Sequence, residues 1–331
     1  MDNRNMPTAY SPRFFALSLC VGALVLLLGA LPGCDTPSTE QATEKSVPSP
    51  RIVCLSPALS RMLIDMGEGD HLVGVAQYDD PALGLPVCGN YADPDIERIL
   101  ALEAELVITE AQSPGQPQVP ARLRELEEAG VLRVVALPQM RSIQDAKDAL
   151  THLEHGLGVV LDAPDQAAAL RVQMTQQMDA ITAAVAGAAP TRRPRVLMLM
   201  GTSPMGAIGP GVTHDELLSR AGGINVLADA GVGYVNVDRQ MLIQDLRPDV
   251  ILLISPSAPP LTEGDTRLRP LDGLPIRAVF DDRIVLINHP QALLPSSSLP
   301  EVLAAFARAI YPERAAAIDA AMTQHTGDER E

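Results

Sequence analysis

From residue 51 onward the chain alternates short apolar runs with stretches of helical periodicity. RIVCL, LVGVAQY, PVCGN, ELVIT and VLRVVAL read as strands, and SRMLIDMG, DIERILAL and ARLRELEEAG read as helices between them. Uninterrupted apolar runs of this kind are strands buried on both faces, and their alternation with helices predicts a parallel α/β sheet. The helix boundaries carry their own signals. Asp93 followed by Pro94 predicts one helix entry, Ser142 with Asp145 another, and Gly67 and Gly130 stand where helices should end. A second region repeats the scheme with RVLMLM, the Gly-rich loop GTSPMGAIGPG, helices THDELLSRAGG and QMLIQDL, strands DVILLIS and DDRIVLINH, and a closing helix PEVLAAFARAI. Thr213 and Glu216 have the S/T-x-x-E spacing of a capping box.

The two regions keep one register. ILALEAELVIT at 99–109 superimposes on IQDLRPDVILL at 243–253, and the same offset of 144 lays RIVCLSP at 51–57 on RVLMLMG at 195–201. Leu102 then answers Leu246, and Glu105 answers Asp249. Two elements in register with matching polar positions indicate an internal duplication in which each copy is a whole lobe. Between the copies, residues 162–188 place Leu170, Met174, Met178, Ile181 and Val185 on one helical face. That helix would span roughly 35 to 40 Å, enough to connect two lobes stiffly. The expected fold class is therefore α/β: two lobes with parallel sheets flanked by helices, joined by one long rigid helix, with a ligand cleft between them. The boundaries are an N-terminal α/β lobe at 51–160, a connecting helix at 161–189, a C-terminal α/β lobe at 190–323 and a charged, disordered tail at 324–331.

What precedes residue 51 has a different character. FFALSLCVGALVLLLGAL at 14–31 holds no charge and follows Arg4 and Arg13, the layout of a secretory signal. It ends in LPGC, which resembles a bacterial lipobox, so residues 1–33 are expected to be a lipoprotein signal peptide and Cys34 the lipidated first residue. An uncleaved membrane anchor is the alternative, because eighteen apolar residues can just cross a bilayer. Residues 34–50 are polar, Pro-bearing and aperiodic, which suits a flexible tether. In either case the body is exported.

The 331-residue chain carries a formal net charge of −16 and no Trp, which excludes nucleic acid as a natural partner. Of its four cysteines, Cys54 and Cys88 lie in the body; in an oxidising compartment they could form a disulfide, and two small buried hydrophobes are the alternative.

In a parallel α/β sheet the strand carboxyl ends and helix N-termini share one edge, and ligands bind there. Two facing edges make a cleft. The first is expected to carry Ser56 to Ser60, Gln77 to Asp79, and Asn90 with Tyr91; the second, Thr202 to Gly211, Tyr234, and Gln291 to Pro295. The succession RIVCLSPALSRMLIDMGEGDHLVGVAQYDD, CGNYADPDIERILALEAELVIT, the long helix, THDELLSRAGGINVLAD and LRPDVILLI resembles the periplasmic substrate-binding proteins of cobalamin and ferric-siderophore ABC importers over most of residues 51–312. The resemblance implies a lipid-tethered receptor that delivers a corrinoid or large metal chelate to an ABC permease. It also implies an acidic residue on each lobe that contacts permease arginines. Glu97 matches the first, whereas Gln240 or Met241 stands where the second belongs, leaving Asp238 or Asp245 to replace it. Ser60 and Arg61 likewise replace the family's usual Thr-Glu.

The expected ligand contacts are Ser56, Tyr78, Asn90, Tyr91, Met205, Tyr234, His289 and Gln291. Tyrosine offers a flat apolar face with a polar tip, suited to a macrocycle. Met205 sits in a Gly-rich loop, and His289 follows a strand that ends at the cleft, where it could serve as an axial donor. His152 and His155 have the spacing of a helix-borne pair but lie away from that edge, so no metal site is expected. Nothing marks a catalyst: SPALS lacks the G-x-S-x-G geometry, and GTSPMGAIGPG lacks the Lys and Ser/Thr of a phosphate loop. The reading is a monomeric binding protein without a cofactor of its own. Its alternatives are a haem or metal-ion receptor of the same fold and an exported, membrane-tethered enzyme using the cleft.

Overall fold

The computed structural model describes residues 50–111, 119–158, 166–186, 192–231 and 233–323. The expected signal peptide, Cys34, residues 34–49 of the tether and the 324–331 tail lie outside the described residues. Among those described, no helix is long and apolar enough to cross a membrane.

The first lobe runs β1 (Ile52–Cys54), α1 (Pro57–Asp65), β2 (Leu72–Gly74), α2 (Ile96–Ala101), β3 (Leu106–Glu110), α3 (Ala121–Glu128), β4 (Arg133–Leu137) and α4 (Ile143–Leu157). Its sheet has the order β2-β1-β3-β4, with every pairing parallel. Alternation along β1 and β3 explains why these runs are apolar throughout. Ile52, Cys54, Leu106 and Ile108 pack with Leu59, Met62 and Leu150 on one face, while Val53, Leu55 and Val107 pack with Ile99 and Leu123 on the other. Cys54 and Cys88 consequently sit in different cores on opposite faces of the sheet, and both are free, so of the two readings they follow that of small buried hydrophobes and not the disulfide.

Local signals worked unevenly. Ser142 and Asp145 form the expected capping box at α4, and Gly67 and Gly130 have the left-handed backbone that ends α1 and α3. The α2 cap is Asp95, which accepts from Arg98 N at 3.0 Å; the Asp93–Pro94 pair lies just upstream. PVCGN contributes only isolated bridges, Val75 to Val87 and Gly89 to Pro94.

The connector is α5 (Gln166–Ala186), which buries Met174, Met178, Ile181 and Val185 and packs Leu170 at the margin of the same core. At about 1.5 Å per residue its length is roughly 30 Å. It contacts α4 of the first lobe and two C-terminal helices, α9 (Leu299–Ile310) and α10 (Ala315–Thr323). One apolar cluster runs without interruption from Ile52 through α5 to Ile318. A shared close-packed core resists hinge motion, because repacking it would open voids.

The second lobe contains β5 (Arg195–Leu199), β6 (Gly206–Ile208), α6 (Thr213–Arg220), β7 (Ile224–Asn225), β8 (Tyr234–Asn236), α7 (Arg239–Met241), β9 (Val250–Ile254), α8 (Arg277–Phe280) and β10 (Ile284–Ile287). Its sheet is mixed rather than parallel. A parallel part, β7-β5-β9-β10, repeats the order of the first lobe, and an antiparallel extension, β6-β8, is added through β5. The extension comes from the Gly-rich loop, whose longer span allows it to turn back as a strand. Registers repeat at the offset of 144: Ile52 pairs with Leu106 as Val196 pairs with Val250. The polar punctuation repeats too, since Arg51 Nε donates to Leu102 O at 2.8 Å and Arg195 Nη2 to Leu246 O at 2.9 Å.

The Thr213–Glu216 capping box is not formed. The N-cap of α6 is Val212, one residue earlier than the box requires, with no side-chain cap. Glu216 Oε2 instead accepts from Ile143 N at 3.1 Å, so a carboxylate of the second lobe caps α4 of the first. A second cross-lobe tie runs from Ser297 Oγ to Asp65 Oδ2 at 2.6 Å.

Candidate cleft between the lobes

The carboxyl end of β1 delivers Ser56, which is buried and donates from Oγ to Glu110 Oε1 at the end of β3. One turn into α1, Ser60 Oγ donates to Asp79 Oδ2 at 2.8 Å, and Ala76 N donates to the same oxygen at 3.2 Å. Burial raises the pKa of both Glu110 and Asp79 above the usual carboxylate range, against the lowering effect of these hydrogen bonds. Ser60 thus ties α1 to the loop that carries Tyr78, while Ser56, one turn earlier, is held by Glu110. No group of three or more potential metal-ligating His, Cys, Asp or Glu side chains occurs among the described residues.

A cavity of about 610 Å³ opens between the lobes. Tyr78, Asp79, Asp80 and Pro81 line it from the first lobe; Pro256, Ser257, Pro290, Gln291, Leu293 and Leu294 line it from the second. Tyr78 is 80% exposed, which places most of its ring in open space at the mouth. Gln291 Oε1 is buried without a hydrogen-bond partner in the same wall. A second cavity of about 360 Å³ adjoins it through Leu293 and contains Tyr234, Arg141 and His214. His214 Nε2 is tied to Ala292 O at 2.8 Å, and burial lowers its pKa, so it is neutral there.

Of the eight expected ligand contacts, Tyr78, Tyr234 and Gln291 line these two cavities. The others do not. Asn90 folds into a turn in which its Oδ1 accepts from Ala92 N and Asp93 N, with Tyr91 on the outside of that turn. Met205 packs against the apolar cluster of the second sheet. His289 turns to the other side of the β10 end, into a separate cavity of about 760 Å³ with Glu301 and Arg308, where its Nδ1 accepts from Gln291 N. Burial, with the Arg61 charge nearby, lowers its pKa. Glu110, Asp80 and Arg141 were missed, although each lies at or just beyond a strand carboxyl end and that rule alone could have flagged them.

Two lobes whose parallel strands point their carboxyl ends into one cleft, joined by a helix instead of crossing strands, define a helical-backbone binding protein. Residues 52–269 match the family model described as periplasmic binding protein, and the chain belongs to that family. Among curated relatives, a vitamin B12-binding protein of Vibrio cholerae is 27% identical over 217 residues, covering 64% of this chain and 73% of the relative. Among solved structures, a periplasmic heme-binding protein from Pseudomonas aeruginosa superimposes with TM-score 0.64 at 27% identity, covering 79% of this chain and 92% of that one. The vitamin B12-binding protein BtuF of Vibrio cholerae superimposes with TM-score 0.60 at 22% identity, covering 84% and 99%.

Proposed function

We propose that the chain is a lipid-anchored substrate-binding protein of an ABC importer, capturing a corrinoid or ferric-siderophore-type chelate between its lobes and delivering it to a membrane permease. The observation that carries this reading is the cavity of about 610 Å³ walled by both lobes, with the exposed Tyr78 ring on one side and Gln291 on the other. Its mix of apolar walls with a few polar groups suits a bulky chelate. The relative named for vitamin B12 supports the corrinoid choice. A haem receptor is the second reading, supported by the likeness to the heme-binding protein and by two cleft tyrosines whose oxygens can ligate iron.

Glu97 is exposed on α2, as a docking acid must be. At the equivalent place on the second lobe, Asp238 spends one oxygen on capping Met241 N at 2.8 Å, whereas Asp245 lies exposed one turn beyond Met241. Both remain candidates for the second contact with the permease.

The test is the visible spectrum of protein purified from its native host, followed by mass spectrometry of the released ligand. A corrinoid, porphyrin or ferric-siderophore spectrum in stoichiometric amount supports capture. A colourless protein that converts a mixed chelate pool to products would defeat the receptor reading in favour of an enzyme.

A further inference from the structure

The two cleft cavities differ in sign. The larger is lined by Asp79, Asp80 and the unpartnered Gln291 Oε1, and no cation lines it among the described residues. In the smaller, Arg141 is the one charged side chain among the described lining residues, since His214 is neutral. Arg141 sits in the turn between β4 and α4, on the cleft edge of the first lobe, facing Tyr234 of the second. The turn is fixed rather than free. Asp145 Oδ2 accepts from Arg141 N and Ser142 N at 2.9 Å each, and Glu216 accepts from Ile143 N. The two neighbouring carboxylates are thus bound to main-chain amides, and no ion pair joins either to the Arg141 guanidinium among the described residues. In a chain of net charge −16, an uncompensated cation at a cleft is where an anion is drawn and fixed, because its forked donors match phosphate and carboxylate oxygens.

We infer that Arg141 anchors an anionic oxygen group of the cargo, the phosphodiester of a complete corrinoid or the carboxylates of a porphyrin, while the body of the cargo lies over Leu293 against Tyr78 and Gln291. This rests on the receptor reading above and assigns its specificity to a residue outside the expected contacts.

The experiment is calorimetric titration of wild type, Arg141→Ala and Arg141→Lys with two ligand pairs of which one member carries the anion: cyanocobalamin against dicyanocobinamide, which lacks the phosphodiester together with its nucleoside, and hemin against its dimethyl ester. Wild type should favour the anionic member of the pair it binds. Arg141→Ala should weaken that member about tenfold or more and leave the neutral one within about twofold, with Arg141→Lys intermediate. The preference should also shrink at high salt in wild type and be absent in the alanine variant. Equal loss for both members, or no loss for the anionic one, overturns the anchor while leaving the receptor reading intact. Failure of wild type to bind any of the four overturns the anchor together with the corrinoid and haem forms of the receptor reading.

Discussion

Glu103 and Arg247 stand 144 positions apart, and both hold a left-handed backbone, with φ of 50° and 41°. Glu103 lies just past α2 and before β3, Arg247 just past a π-helical turn at Leu242–Leu246 and before β9, and each follows the carbonyl capped by the first-strand arginine of its lobe. The duplication therefore preserves even a conformation that side chains resist. A Cβ in this region costs about 1 to 2 kcal/mol, and glycine escapes most of that cost. Glu103→Gly is expected to be neutral or to stabilise by up to about 1 kcal/mol, and Glu103→Val to destabilise by about as much, because a branched side chain tolerates the region least. Urea unfolding midpoints check both; a large loss in Glu103→Gly would show that the glutamate contributes a contact that outweighs the strain.

The link from Glu216 to Ile143 N spans the lobes, and its removal should be felt in both. Glu216→Ala leaves a helix N-terminus with one donor unsatisfied, an effect of about 1 kcal/mol. A matching drop in unfolding free energy is expected, together with faster amide exchange at Ile143 and little change elsewhere in α4, whose Ser142–Asp145 box survives. Unchanged exchange at Ile143 would mean that the cross-lobe cap contributes nothing in solution.

The sequence made the fold legible where one physical signal dominated. The cores of RIVCL and ELVIT are apolar because both faces of β1 and β3 are covered, and their echo at 195 and 250 marks the second lobe in the sequence itself. The α5 stripe from Leu170 to Val185 was readable for the same reason. The antiparallel extension was not, because GTSPMGAIGPG carries turn residues whose strand character comes only from pairing β6 with β8. The site was legible by region rather than by residue. The strand-end rule located Tyr78, Tyr234 and Gln291, yet whether a loop side chain faces the cleft depends on backbone direction over one or two residues. His289 and Gln291 illustrate this, two positions apart and lining different cavities. Thr213 and Glu216 failed through a helix that begins one residue earlier, which freed the carboxylate for another lobe.

Glu110 has a folded pKa raised above its ordinary value of 4.5, and Asp79 above 3.8, burial being the larger cause in each. Between the ordinary and the raised values the folded chain holds more protons than the unfolded one, so stability falls as pH rises through that window. Glu110→Gln keeps an acceptor for Ser56 Oγ and removes the titration. Its stability should therefore decline less than that of wild type as the pH climbs from about 4 toward neutrality, with Asp79 and Glu301, whose carboxyls burial also raises, contributing to the slope that remains. Chemical unfolding across that range measures the difference; identical slopes in the two proteins would place the Glu110 carboxyl at its ordinary pKa.

Tyr78 makes the sharpest contrast between stability and function. With 80% of its surface exposed, the ring contributes almost nothing to the core, so Tyr78→Ala should leave the unfolding midpoint within experimental error of wild type. On binding, that ring would be covered by cargo against the Leu293 and Pro290 wall. Aromatic anchors that are exposed when free and buried when bound carry a disproportionate share of affinity, about 2 kcal/mol or more, which is roughly thirtyfold in Kd. Titration of the ligand identified by absorbance should show that loss for Tyr78→Ala and partial recovery for Tyr78→Phe, which restores the ring without the hydroxyl. Should Tyr78→Phe be as weak as Tyr78→Ala, the hydroxyl and not the ring makes the contact, as iron ligation by a phenolate oxygen would require, and the haem reading gains over the corrinoid one.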